Sequence, residues 1–86
     1  MLSMDRDARA TIRDFLLDRL APASGRSDIA DEDDLIDSGV VDSLGIFQLV
    51  AFLEETFGVA IADDAITPEN FGSVSAIERL VASRSR

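Results

Sequence analysis

The stretch Asp42-Ser43-Leu44-Gly45-Ile46-Phe47-Gln48-Leu49-Val50-Ala51-Phe52-Leu53-Glu54-Glu55-Thr56-Phe57-Gly58 decides the fold. It reads as a helix that starts at Asp42 or Ser43, runs to Phe57 and ends at Gly58, a residue type common just past a helix C-terminus. Leu44, Phe47, Val50, Ala51, Glu54 and Phe57 trace one set of helical spacings, and Ile46, Leu49 and Leu53 fill an adjacent strip. A helix apolar around so much of its circumference is either central to the core or shows an apolar strip to a partner. Asp42 as the N-cap accounts for itself, since its carboxylate accepts a backbone N–H from the first turn, worth about 1 kcal/mol. Capping gives Ser43 no task. A small hydroxyl at that position meets the positive end of the helix dipole and unspent N–H groups, both of which favour an attached phosphate.

Outward from this helix the chain stays helical. Ala8, Ile12, Phe15, Leu16 and Leu20 mark an amphipathic helix over residues 6–20, with Ala21-Pro22-Ala23-Ser24-Gly25 expected to stop it. Residues 26–42 are long for a connection, so Ile29, Leu35, Ile36, Val40 and Val41 are expected to pin them across the bundle, with a short helical turn near Asp33 to Ile36 and a bend at Gly39. Beyond Gly58 a short extended segment points Val59 and Ile61 inward, and Asp63 is a candidate cap for one turn through Ile66. Thr67-Pro68-Glu69 has the form of a cap followed by proline at the first helical position, giving a brief third helix that ends near Phe71-Gly72. Ser73 or Ser75 caps a last helix, Ser75-Ala76-Ile77-Glu78 fitting a capping box, with Val74, Ile77, Leu80 and Val81 toward the core. The Arg-rich end, residues 83–86, sets cations where the dipole favours them. The expected fold is all-α, a four-helix bundle with a long first loop and a short third helix, forming one domain over residues 1–86 with its core within about 8–82.

Composition removes most catalytic chemistries. The 86 residues contain neither cysteine nor histidine, so there is no disulfide framework and no thiolate or imidazole set for zinc. A serine hydrolase fails for the same reason: no histidine base exists, all eight basic residues are arginine, and the glycine-flanked nucleophile elbow is missing. Asp31 to Asp42 has the length of a calcium loop, but Leu35 and Ile36 stand where an oxygen ligand and a glycine are needed, so no dedicated metal site is expected. Residues 27–78 hold thirteen carboxylates and no cation. Such a field repels nucleic acid and anionic membrane and draws basic protein surfaces toward the middle of the chain. The N-terminus turns charged at once and no later run is long enough to span a bilayer, which leads to the expectation of a cytoplasmic protein without membrane insertion.

Asp42-Ser43-Leu44, Phe47-Gln48-Leu49, Phe52-Leu53-Glu54-Glu55-Thr56-Phe57-Gly58-Val59 and the helical stretch from Ile77 to Val81, in register with the four-helix pattern, strongly resemble acyl carrier proteins and the related peptidyl and aminoacyl carrier proteins. The resemblance covers about Ile12 to Val81. It implies that Ser43, flanked by Asp42 and Leu44, receives 4'-phosphopantetheine from coenzyme A through a separate phosphopantetheinyl transferase. The thiol of that arm then holds cargo as a thioester. The resemblance further implies a non-catalytic monomer served by an adenylating ligase or acyltransferase and by downstream biosynthetic enzymes. Carriers of fatty-acid synthesis usually place an acidic residue directly after the Asp-Ser-Leu triplet and another a turn later, where this chain has Gly45 and Gln48 with Ile46 and Phe47 between. Partner recognition is therefore expected to rest on Gly45, Ile46, Phe47 and Gln48, with Val41 and Ile66, through shape and apolar contact, and with Asp42, Glu54 and Glu55 as outlying charges. In this the chain looks more like D-alanyl, aminoacyl and peptidyl carriers. The alternatives are a fatty-acid or polyketide acyl carrier and, from another class, an unmodified helical adaptor that grips a partner through its second helix.

Overall fold

Ala8, Ile12, Leu16 and Leu20 recur every fourth residue, and one stripe of a helix carries all four into the core. In the computed structural model, which describes residues 4–25 and 28–84, this helix is α1 (Met4–Phe15), continued by a π-helical turn over Leu16–Leu20 into α2 (Ala21–Ser24). The helical path thus runs past Ala21-Pro22, where the sequence placed its end. Proline lacks an N–H, and the widened turn before it, closed by the Ala21 N–H donating to the Leu16 carbonyl, brings Pro22 into the first turn of α2, where a missing donor costs little. Gly25 ends the path with φ 81°, a left-handed conformation that residues with a Cβ resist.

The second rod is α3 (Ser43–Phe57), capped by Asp42 and closed at Gly58. The third is α4 (Pro68–Phe71), where Thr67 Oγ1 accepts from the Asn70 N–H at 3.3 Å, and the fourth is α5 (Val74–Arg84). The fold is an all-helical four-helix bundle with a long first loop and a short third helix; among the described residues there is no strand. Helix α5 packs against both α1 and α4. Ile12, Leu16, Leu35, Leu49, Leu53, Phe71, Val74 and Ile77 are the largest fully buried side chains, so every rod and the first loop feed one core.

The first loop lies across the bundle as its apolar residues require. Ile29, Leu35, Val40 and Val41 are buried, and the Leu35 N–H donates to the Gly72 carbonyl at 2.7 Å. Ile36 departs from expectation, 38% exposed on the loop's outer side. The short helix expected at Asp33 to Ile36 is replaced by turns one step later. The Asp34 carboxylate accepts the N–H groups of Ile36 and Asp37, and Gly39 makes the bend at φ 87°. Arg26, where this connection begins, and residues 85 and 86 of the Arg-rich end lie outside the described residues.

One cap and one capping box differ from the sequence reading. Asp63 sits inside a short 3-10 turn (Asp63–Ala65) preceded by Ala62, rather than capping it. Ser73 caps α5, its Oγ accepting from the Ala76 N–H at 3.1 Å, whereas Ser75 is buried within the helix and donates to Glu32 at 2.7 Å. Glu78 accordingly makes no capping box and accepts from Arg9 Nε at 3.0 Å. Val59 and Ile61 turn inward as expected.

Candidate functional site

At the head of α3 the Asp42 carboxylate accepts the Gly45 N–H at 2.6 Å, and the Asp42 carbonyl accepts the Ile46 N–H at 2.9 Å. Those bonds consume the donors of Gly45 and Ile46 and leave the Ser43 and Leu44 N–H groups without an intrahelical acceptor, as first-turn geometry dictates. Ser43 is exposed as the first residue of the helix. Ser38, the other serine of this region, is half-buried and donates to the Leu35 carbonyl at 3.4 Å, so its hydroxyl is engaged where that of Ser43 is open to solvent.

The face of α3 that begins at this end is apolar and uncovered. Leu44 is 68% exposed and Phe47 66%, with Ala51 a further turn along. Leu49 and Leu53 form the core-facing strip instead, with Ile46, Val50, Phe52 and Phe57 half-buried beside it. Of the residues singled out in the sequence, the fold therefore gathers Asp42, Ser43, Leu44, Phe47 and Gln48 on one exposed end and edge of α3. Val41 is 3% exposed and belongs to the core, and Ile66 is half-buried against it. Gly45 is buried: a Cβ there would lie 3.0 Å from Asp42 Oδ1 and 3.4 Å from a Leu20 methyl. Glu54 faces inward as well, its carboxylate accepting the Ile61 N–H at 3.0 Å.

Two features of the packing escaped the sequence. Arg9 and Arg13, one turn apart on α1, both pair with Asp31, and Arg9 also holds Glu78, so the charges fasten the first loop to α1 and α5. Arg13 adds a bond to the Ile29 carbonyl at 3.1 Å. The spacing of the two arginines was visible, but the loop residue they share was not. The second feature is the antiparallel seam between α1 and α3, where Phe15 stacks on Phe52 at 4.2 Å and Leu20 lies against Gly45.

A small helical bundle that offers an exposed serine at the head of an apolar helix, in a chain without histidine or lysine, has the form of a carrier that other proteins load. The family model described as "Phosphopantetheine attachment site" matches residues 14–81, and the chain belongs to that family. It is 36% identical over 58 residues to "Aminoacyl carrier protein 2" of Bradyrhizobium diazoefficiens, an alignment that covers 67% of this chain and 64% of that protein. The chain thus spans slightly less than two thirds of that relative's length. Members of the family bear 4'-phosphopantetheine covalently and are carriers, not catalysts, which fits a chain with neither histidine nor lysine. No helix among the described residues is long and apolar enough to cross a membrane.

Proposed function

We propose that Ser43 is the residue that accepts 4'-phosphopantetheine, and that the chain, one domain over residues 1–86, presents an aminoacyl or peptidyl group to partner enzymes in the cytoplasm. The observation that carries this reading is the exposed Ser43 hydroxyl at the first position of α3, beside the unspent N–H groups of Ser43 and Leu44. A phosphodiester at that position suits the dipole end, and its negative charge is kept in water. Once attached, the group supplies a thiol for thioester linkage to cargo. The protein's own residues supply the rest: Asp42 fixes the first turn, and Leu44 and Phe47 offer an apolar hold to the transferase and to the loading ligase.

The subtype rests on the same surface. A carrier recognised mainly by charge would set carboxylates on the turns of α3 that follow the serine, but here Gly45 is buried, Gln48 is neutral and Phe47 is exposed, so apolar contact and shape dominate. The name of the 36%-identical relative points the same way. Incubation with coenzyme A and a broad-specificity transferase, followed by proteolysis and fragmentation mass spectrometry, is expected to place the arm on the peptide containing Ser43. An arm found on Ser38 overturns the assignment. Adenylating enzymes for amino acids should then load the modified protein faster than those for fatty acids, and the opposite order would contradict the aminoacyl reading.

A further inference from the structure

A hollow of about 160 Å³ opens at the head of α3, between that helix and the π-helical turn that carries Arg19 and Leu20. Leu20, Val40 and Leu44 give it an apolar lining, and Gly39 and Gly45 border it without side chains to fill it. A Cβ on Gly45 would sit 3.0 Å from Asp42 Oδ1 and 3.4 Å from a Leu20 methyl, so a side chain there would take up part of this space. An apolar cavity of about 150 Å³ holds a benzene molecule, and the hollow accordingly has room for a single leucine, methionine or phenylalanine side chain. Leu44, 68% exposed, is both a wall of the hollow and the start of the uncovered face that continues to Phe47. A partner lying on that face therefore meets the hollow at its edge. Ser43 is not among the lining residues, so filling the hollow leaves the serine uncovered.

The polar part of the lining is mixed in sign. Asp42 contributes a carboxylate that already accepts the Gly45 N–H, and Arg19 contributes a guanidinium. Arg19 is exposed, lies 5.8 Å from the Phe15 ring centroid and, unlike Arg9 and Arg13, pairs with no carboxylate among the described residues. Because residues 27–78 contain no cation, it is a positive point beside an acidic surface. A partner's carboxylate is drawn to that point and a partner's cation is turned away from it. We infer that the hollow is a specificity socket for the loading ligase, which inserts one apolar side chain beside Leu44 and sets a carboxylate against Arg19. The enzyme thereby grips the carrier from the α1 side of α3 rather than from α4. The occupant is the ligase because a transferase of broad specificity gains nothing from a feature of one chain, whereas the ligase must tell this carrier from others by contacts that the others lack. The inference rests on the reading of the chain as an aminoacyl or peptidyl carrier with its arm on Ser43.

The test measures the steady-state loading of the full-length modified protein, using whichever amino-acid-adenylating ligase loads the wild type fastest, and separates KM for the carrier from kcat. Arg19→Glu should raise KM by about tenfold or more with kcat unchanged, since it sets two negative groups against each other. Arg19→Lys keeps the charge and should stay within about threefold of the wild type. Gly45→Ala, shown by circular dichroism and melting to be folded, should raise KM severalfold because its methyl group narrows the socket. Glu69→Lys, an exposed change on α4, should leave KM where it was. All four variants should be modified by the broad-specificity transferase as fast as the wild type. Equal KM for Arg19→Glu and the wild type, or a larger effect from Glu69→Lys, would overturn the socket and leave the carrier reading standing. Failure of every amino-acid-adenylating ligase to load the wild type would overturn both.

Discussion

Inside a helix alanine is ordinarily favoured over glycine by about 1 kcal/mol, but Gly45 stands where that preference is offset. A Cβ at this position presses on Asp42 Oδ1 at 3.0 Å and on the Leu20 methyls, so Gly45→Ala is expected to give no gain in stability by urea denaturation. Asp42→Ala should cost about 1 kcal/mol through loss of the cap, and in that background Gly45→Ala should become favourable, a non-additivity readable from a double-mutant cycle. Simple additivity would show that the contact is not felt. Gly72 presents a harder case, because its Cβ would fall 2.6 Å from the Pro68 carbonyl oxygen, and Gly72→Ala should cost about 1–3 kcal/mol. From the sequence Gly45 reads as a mark of carrier subtype, and the packing reason depends on Leu20, which only the fold brings near. Asp42 was legible because a cap is local; Glu54 was misread as an outlying charge because the Ile61 N–H that it accepts lies in another segment, and Val41, expected both to pin the loop and to meet partners, is buried in the first role only.

At the scale of elements, the first loop decides how rigidly α3 is presented. Its hold is chiefly apolar: Leu35 is fully buried, and Leu35→Ala is expected to cost about 2–5 kcal/mol. The ionic fastening is weaker. The Arg9 side chain is 43% exposed, and exposed pairs contribute about 0–1 kcal/mol, so Arg9→Met should cost about 1 kcal/mol or less while speeding amide exchange at Leu35 and Val41. A large global loss with unchanged loop exchange would contradict that division. The loop's anchors were legible because Ile29, Leu35, Val40 and Val41 could not stay in water, and Ile36 was misplaced because neighbours in a turn have no fixed period to assign their faces. The first helix outran its expected end for a related reason: proline forbids one hydrogen bond, and a π-helical turn ahead of it makes that bond unnecessary.

Over the whole molecule the net charge of -9 sets a repulsion that Arg9 and Arg13 relieve where they meet Asp31 and Glu78. Raising salt from about 0.01 M to about 0.1 M shortens the screening length from roughly 30 Å to roughly 10 Å, and the melting temperature should rise by a few degrees. A flat or falling temperature would mean that these pairs outweigh the repulsion. The four-helix plan was readable in outline, since apolar periodicity, caps and a proline at a first helical position are local signals. The α1–α3 seam was not, because register between helices is set by packing that no single helix encodes. The measurement closest to the central claim is the intact mass of the wild-type protein and of Ser43→Ala after incubation with coenzyme A and a phosphopantetheinyl transferase, both checked as folded by circular dichroism. The wild type should gain the mass of one phosphopantetheine arm and Ser43→Ala none; an equal gain on both, or no gain on the wild type, would contradict the account.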